Sequence, residues 1–81
     1  MQVKVRLFAM MRDAAGVDQL SLDLPDNSSA GNALVAVVQQ KPGLLPYAQR
    51  LAIAVNLEYV PWNHPLRDGD EVALIPPVSG G

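Results

Sequence analysis

The sequence contains no cysteine and a single histidine among its 81 residues. Without cysteine the chain has no disulfide, no thiolate nucleophile and no cysteine-based metal site. His64 has only the aspartates of a predicted turn near it in sequence, which do not make a set of nitrogen and sulfur ligands, so we expect no bound metal. A glycine-rich phosphate loop between a strand and a helix is also missing, which argues against nucleotide binding by this chain.

Positive charge is scarce as well. Six lysines and arginines stand against eight acidic residues, for a net charge of −2, whereas a nucleic-acid partner would favour a basic stripe. No apolar run is long enough to span a bilayer, and the first six residues alternate charge with valine, unlike a signal peptide. We therefore expect one cytoplasmic domain that binds neither nucleic acid nor membrane.

Alternation and turn signals divide the chain into strands around one helix. The apolar spacing of residues 30–40 predicts a helix, with Ser28 or Ser29 as N-cap and Pro42-Gly43 as its stop. Residues 10–15 are interpreted as a helical turn or loop, and residues 44–51 as a loop containing Pro46. The predicted strands cover residues 3–9, 19–24, 52–56, 58–60 and 71–75.

This order of elements predicts an α+β fold of the β-grasp (ubiquitin-like) type, a mixed sheet with one main helix packed on one face. In that arrangement the first and last strands lie side by side at the centre of the sheet. Phe8, Ala73 and Ile75 then share the face away from the helix, bordered by Ala54 and Tyr59. A small monomer seldom leaves such an apolar patch open, so we interpret it as a docking surface, against the alternative of scattered apolar residues.

The sequence ends in Pro76-Pro77-Val78-Ser79-Gly80-Gly81. The prolines stop the last strand, and the small residues after them cannot pack on their own domain. We predict a β-grasp domain over residues 1–76 and a flexible Gly-Gly tail over residues 77–81. At ~3.3 Å per residue the tail reaches about 16 Å, enough to enter a partner's active site. The alternative is a frayed end or a cloning scar.

Acidic residues outnumber Arg67 between residues 58 and 75. The acidic residues there are Glu58, Asp68, Asp70 and Glu71. They either steer the tail-bearing end toward a basic partner or form a solvated face. Asp68-Gly69-Asp70 is best explained as a turn, because the later ligands of a calcium loop are absent.

With thiolate, metal and nucleotide sites excluded, the group left to carry a reaction is the terminal carboxylate of Gly81. A carboxylate is inert at neutral pH until it becomes a mixed anhydride, which ATP provides as an acyl-adenylate. A sulfur nucleophile can then replace AMP and leave a thiocarboxylate. Because the chain has no ATP site, a partner would have to bind the nucleotide.

The sequence resembles the small subunits of molybdopterin synthase, the MoaD-type sulfur carriers. The resemblance rests on Leu-x-Asp-Gly-Asp-Glu-Val at residues 66–72 followed by Pro-Pro-Val-Ser-Gly-Gly at the end. Supporting pieces are the first strand through Phe8-Ala9 with Arg12 following, and Ala54-Val55-Asn56. The helix start departs from the pattern, since Gly31-Asn32 replaces a β-branched entry.

The resemblance implies a cycle run by partner proteins. An E1-like adenylyltransferase activates Gly81 with ATP, and a sulfurtransferase supplies sulfur. The thiocarboxylated tail then enters the large synthase subunit and donates sulfur to cyclic pyranopterin monophosphate, with two carriers flanking a dimer of large subunits in a heterotetramer. Residues implied to lie in the channel are Gly80, Ser79, Val78 and Pro77. Residues implied to dock are Phe8, Tyr59, Ala73 and Ile75, with Arg12 at the edge.

Three other interpretations of the tail stay open at this point. Sulfur carriers for thiazole or cysteine synthesis share the fold and the Gly-Gly end, and only the Pro-Pro-Val-Ser stem and the overall match argue against them. A ubiquitin-like modifier would instead join Gly81 to a lysine through an isopeptide bond. A docking module without chemistry at its tail would tolerate deletion of Gly81.

Overall fold

A computed structural model describes residues 1–76, and residues 77–81 lie outside the described part of the chain. The predicted boundary between domain and tail therefore stays a prediction. The strands are β1 (Gln2–Leu7), β2 (Gln19–Asp23), β3 (Ala52–Val55), β4 (Glu58–Val60) and β5 (Glu71–Ile75). The helices are α1 (Ala9–Ala15) and α2 (Ala30–Gln40), followed by a 3₁₀ helix (Pro42–Tyr47).

The described strands form one mixed sheet in the order β2-β1-β5-β3-β4. The central pair, β1 and β5, is parallel, and every other neighbouring pair is antiparallel. The prediction that the first and last strands lie side by side is confirmed. Because β1 and β5 are parallel, they run in the same direction. Their C-terminal ends therefore lie at the same end of the sheet.

One face of the sheet carries the core. Val3, Val5 and Leu7 of β1 and Val72 and Leu74 of β5 are buried, as the two-residue alternation predicts. The apolar stripe of α2 packs into the same core cluster with its buried residues Ala30, Ala33, Leu34 and Val37. The sheet with one main helix on one face is the predicted α+β arrangement.

The start of α2 is fixed by a reciprocal cap. The Asn32 amide donates to Ser29 Oγ (3.2 Å), and the Ser29 amide donates to Asn32 Oδ1 (2.8 Å). Ser29, one of the two predicted N-caps, is the actual one. Asn32, which departs from the family pattern, thus serves as the far half of a capping box. Gly31 fits beneath Trp62, whose carbonyl oxygen would lie 3.2 Å from an added Cβ.

The structure differs from the prediction at the end of the first strand. β1 ends at Leu7 rather than Ala9, and residues 9–15 form a regular helix, so of the two alternatives predicted for residues 10–15 the helical one is correct. Phe8 keeps an extended backbone (φ −127°, ψ 154°) as the N-cap of α1, so the alternation continues through it. Ala9 then takes a φ of +49°, and α1 buries Met11. This burial favours the helix.

The segment between α2 and β3 is also more regular than expected. Residues 42–47 form a 3₁₀ helix that contains Pro46, where the sequence predicts a loop. Short 3₁₀ helices connect other elements frequently. Leu44 and Leu51 are buried, so this connection closes one end of the core.

Candidate functional site

The candidate site is the sheet face opposite α2, called here the open face. Its central row crosses four strands through the register pairs Arg6–Ala73, Ala73–Ala54 and Ala54–Tyr59. Side chains of directly paired residues lie on the same face of a sheet. The structure therefore brings Ala73, Ala54 and Tyr59 together, as the sequence predicts. Arg6 lies in the same row.

The second part of the open face is at the end where β1 and β5 finish. Leu7 pairs with Leu74, and Ile75 pairs with Ala52 of β3. Phe8 directly follows Leu7, so Phe8 and Ile75 lie at the same end of neighbouring strands. Pro76, the last described residue, leaves the sheet there. The predicted apolar patch therefore adjoins the point from which residues 77–81 continue.

Exposure differs strongly across this face. Tyr59 is 74% exposed and Phe8 is 41% exposed, whereas Ala54 is only 8% exposed. Ala73 and Ile75 are half-buried. Small residues in the middle with aromatic rings at two sides form a surface that a partner can cover without reorganising the core.

Arg12 lies one helical turn beyond Phe8, because its amide donates to the Phe8 carbonyl (3.3 Å). Its side chain is exposed, with Nε 3.9 Å from the Asp13 carboxylate. The structure thus keeps Arg12 close to Phe8 along the chain, on α1 rather than on the sheet. That position agrees with a residue at the edge of a docking surface.

Sequence reasoning missed an ion pair on the same face. Arg6 Nε lies 2.9 Å from Glu71 Oε1, with both side chains partly exposed. Glu71 is two residues before Ala73 on β5, directly opposite Lys4 and diagonal to Arg6. The alternation of residues 3–9 did place Arg6 outward, but the pairing with β5 was needed to bring the two charges together.

The hypothesis that acidic residues steer the tail-bearing end is wrong in its geometry. Asp68 and Asp70 precede β5, whereas Pro76 follows it, so the whole strand separates them from the start of the tail. At ~3.3 Å per residue, a five-residue strand spans about 13 Å between its first and last Cα atoms. Glu58 pairs with Val55 at the hairpin turn, close to the same distant end.

The aspartates of this turn have structural partners. Asp68 Oδ1 accepts from the Gln2 amide (2.7 Å), and Asp70 accepts from the Arg67 amide (2.8 Å) and from Asn56 Nδ2 (2.9 Å). The predicted role in turn geometry is confirmed for Asp70, whereas the Asp68 side chain joins the turn to β1. The His64 carbonyl accepts from the Ala30 amide (2.9 Å), which ties its loop to α2. Within residues 1–76, no three His, Asp or Glu side chains gather as a metal-binding group.

The predicted reaction centre lies outside the described residues. Gly81, the predicted acceptor, and the predicted channel residues Gly80, Ser79, Val78 and Pro77 all fall in the segment 77–81. The structure tests none of these five assignments. No helix within residues 1–76 has the length and hydrophobicity needed to cross a bilayer.

Comparison with known proteins shows the family of this chain. The model of the ThiS family matches residues 5–81. This chain belongs to the ThiS family. A relative in Chlamydomonas reinhardtii, the molybdopterin synthase sulfur carrier subunit, is 41% identical over 100% of both chains.

Two solved structures extend the comparison. SAMP1 from Haloferax volcanii, a small archaeal modifier protein, superposes with a TM-score of 0.91 at 29% identity, covering 100% of both chains. The complex of subunits 1 and 2 of the molybdopterin-converting factor from Helicobacter pylori contains a similar chain, with a TM-score of 0.72 at 33% identity over 100% of both. The ubiquitin-like fold predicted from the order of elements is confirmed.

Proposed function

We propose that this protein is the sulfur carrier subunit of a molybdopterin synthase. The observation that carries the proposal is the 41% identity, over the full length of both chains, to a protein of that name. The open apolar face beside the start of residues 77–81 supports it, because a carrier must bind a partner through its domain and present its C-terminus to that same partner. A cytoplasmic location is part of the proposal, since the activation consumes ATP.

The proposed chemistry starts at the Gly81 carboxylate. Its oxygen attacks the α-phosphorus of ATP, pyrophosphate leaves, and an acyl-adenylate forms. The terminal sulfur of a persulfide on a sulfurtransferase attacks the acyl carbon and AMP leaves, which gives an acyl disulfide. A thiol then reduces the sulfur–sulfur bond and is itself oxidised to a disulfide, so the chain ends in a thiocarboxylate. An E1-like adenylyltransferase holds the ATP. This chain contributes the acyl group and the docking surface, and we expect it to bind no cofactor of its own.

The proposed acceptor is cyclic pyranopterin monophosphate, bound by the large subunit of the synthase. Phe8, Tyr59, Ala73 and Ile75 contact that subunit, Arg12 lies at the rim, and residues 77–80 pass into its active site. The two-subunit complex from Helicobacter pylori supports a large subunit as partner. A heterotetramer with two carriers on a dimer of large subunits follows the same proposal.

The mass of the intact chain isolated from its host tests the carboxylate directly. We expect a fraction of the protein to carry one sulfur in place of one oxygen, at Gly81. Deletion of Gly81 should abolish molybdopterin formation in a strain that lacks its own carrier, whereas Val35→Ala, at an exposed position of α2, should not. A chain that never carries sulfur, or a deletion that restores the cofactor, would contradict the proposal.

A second candidate function is that of a ubiquitin-like protein modifier. It is favoured by the TM-score of 0.91 to SAMP1. In that case a lysine amine of a target attacks the activated Gly81, AMP leaves, and an isopeptide bond forms. Incubation with host extract and ATP distinguishes the two, since conjugates of higher mass that resist thiols indicate a modifier and a thiocarboxylated free chain indicates a carrier.

A further inference from the structure

The hairpin turn between β3 and β4 contains a residue that its geometry does not favour. Val55 pairs with Glu58, so only Asn56 and Leu57 connect the two strands. Both residues have a positive φ, +50° and +73°. Two-residue turns of this kind favour Asn-Gly, because a side chain at the second position is strained and glycine is not. The turn has the favoured asparagine but carries leucine where glycine fits best.

This leucine makes no compensating contribution to the core. The Leu57 side chain is 94% exposed and lies outside the core of the described residues. A single exposed apolar residue is ordinary on a protein surface. A leucine that is both strained and almost fully exposed is different, because it destabilises the folded chain without packing against it. Strained positions concentrate at functional sites, so the observation points to a contact outside this chain.

The turn is tied to the start of β5. The Asn56 amide donates to the Glu71 carbonyl (2.9 Å), and the Glu71 amide donates to Asn56 Oδ1 (3.0 Å). Asn56 Nδ2 also donates to Asp70 Oδ1 (2.9 Å). These three hydrogen bonds fix the residue before Leu57, so the leucine is presented by an ordered turn. A side chain held in this way loses less conformational entropy on binding than one on a mobile loop.

Leu57 extends the apolar part of the open face. Tyr59 is two residues further along the chain, so the two Cα atoms lie within about 7 Å of each other. Tyr59 pairs with Ala54, and Ala54 pairs with Ala73. The apolar row therefore continues past Tyr59 to the tip of the hairpin. This tip lies beside the start of β5, whereas Phe8 lies near its end.

The size of an interface also favours a contact at the tip. At roughly 200 Å² for each aromatic ring, Phe8 (41% exposed) and Tyr59 (74% exposed) offer about 230 Å² together. A standard interface buries about 800 Å² on each partner. A partner that covers both rings must therefore cover neighbouring surface as well. Beyond Tyr59 that surface is the hairpin tip, where Leu57 is the most exposed large apolar residue of the described chain.

We propose that Leu57 is a docking residue for the large subunit of the synthase and enters an apolar pocket of that subunit. The inference rests on the proposed function, which supplies the large subunit as partner. Contacts at Phe8 and at Leu57, at opposite ends of the open face, fix the direction from which residues 77–81 approach the active site. Leu57 lies at the far end of β5 from Pro76, so it selects and orients the partner and takes no part in the reaction.

The test combines calorimetric titration of the purified large subunit with urea denaturation of the full chain. Leu57→Gly should weaken binding about tenfold and raise the urea midpoint, because the contact is lost and the strain is relieved. Leu57→Ala keeps a Cβ and should weaken binding to a similar extent without the gain in stability. Leu57→Met keeps an apolar side chain of similar volume and should bind within about twofold of the unmodified chain. A merely structural role would not combine weaker binding with higher stability.

Tyr59→Asp separates this inference from the proposed function. If Tyr59→Asp binds more weakly while Leu57→Gly binds like the unmodified chain, the role of Leu57 is overturned and the docking of the open face stands. If neither variant changes binding, or the unmodified chain does not bind the large subunit, the docking surface fails as well. A Leu57→Gly chain that is less stable than the unmodified one would assign the leucine to folding. Intact binding with impaired adenylation would assign it to the activating enzyme instead.

Discussion

Replacing Phe8 by aspartate separates docking from folding at the open face. Phe8 is 41% exposed, so of a side chain that buries roughly 200 Å², about 80 Å² remains for a partner to cover. At about 25 cal/mol per Å² that area contributes about 2 kcal/mol of binding free energy. A carboxylate buried there without a partner would add a further penalty. We therefore expect Phe8→Asp to raise the Kd for the large subunit by about 30-fold or more.

The same substitution has opposing effects on stability. Phe8 is the N-cap of α1 without a side-chain hydrogen bond, and aspartate is a favoured N-cap that contributes about 1 kcal/mol. The loss of the covered part of the ring acts in the other direction. At the same coefficient the covered part, about 120 Å², contributes about 3 kcal/mol. We therefore expect the free energy of unfolding to fall by about 2 kcal/mol, as measured by urea denaturation.

The matched control is Val35→Asp. Val35 is 52% exposed but lies on α2, on the far side of the sheet from the open face. Calorimetric titration of the purified large subunit should give a Kd within about twofold of the unmodified chain, because a solvated surface charge changes little. If Phe8→Asp binds as tightly as the unmodified chain, or Val35→Asp binds as weakly as Phe8→Asp, the assignment of the docking surface is refuted. Tyr59→Asp, at a 74% exposed position, repeats the test where α1 is not involved.

Three further predictions concern the scaffold and are read from urea denaturation. Ser29→Ala should lower the free energy of unfolding by about 1 kcal/mol. The double variant with Asn32→Ala should lose less stability than the two single variants added together, because each single change already breaks the same capping box. Additive losses would refute the reciprocal cap. Leu57→Gly should stabilise by up to about 1 kcal/mol, since Leu57 has a φ of +73° and is 94% exposed, while Leu57→Ala should not. Glu71→Gln should cost less than about 1 kcal/mol, and the cost should vanish in high salt, because the pair with Arg6 is half-exposed.

Local signals predict α2 correctly at both ends. Ser29 supplies the cap, and Pro42 with Gly43 ends the segment, so the predicted and observed limits are both residues 30–40. The end of β1 is different. Phe8 continues the alternation, and alanine is not a residue that signals a positive φ, so Ala9 gives no local warning of the turn. The burial of Met11 favours α1, and burial depends on contacts that the sequence does not reveal.

The open face was predictable because it follows from alternation and strand order. Ala73 and Ile75 fall on the outward positions of the last strand, and central pairing then brings them beside Phe8. The Arg6–Glu71 pair needed the register, which no local pattern specifies. The hypothesis that the acidic residues steer the tail-bearing end could have been rejected from the sequence. Asp70 precedes the predicted last strand and Pro76 follows it, so the two residues must lie at opposite ends of that strand.

Similarity of fold does not decide between a sulfur carrier and a protein modifier. The chain superposes better on SAMP1 (TM-score 0.91) than on the Helicobacter pylori chain (0.72), yet is less identical to it in sequence, 29% against 33%. A shared scaffold supports unrelated functions, because function depends on the groups at the site. Both proposed reactions pass through the same activated Gly81 and differ only in whether sulfur or a lysine amine attacks it. The choice therefore rests with the partner that receives the activated end. If the open face docks that partner, as proposed, substitutions there should shift the outcome.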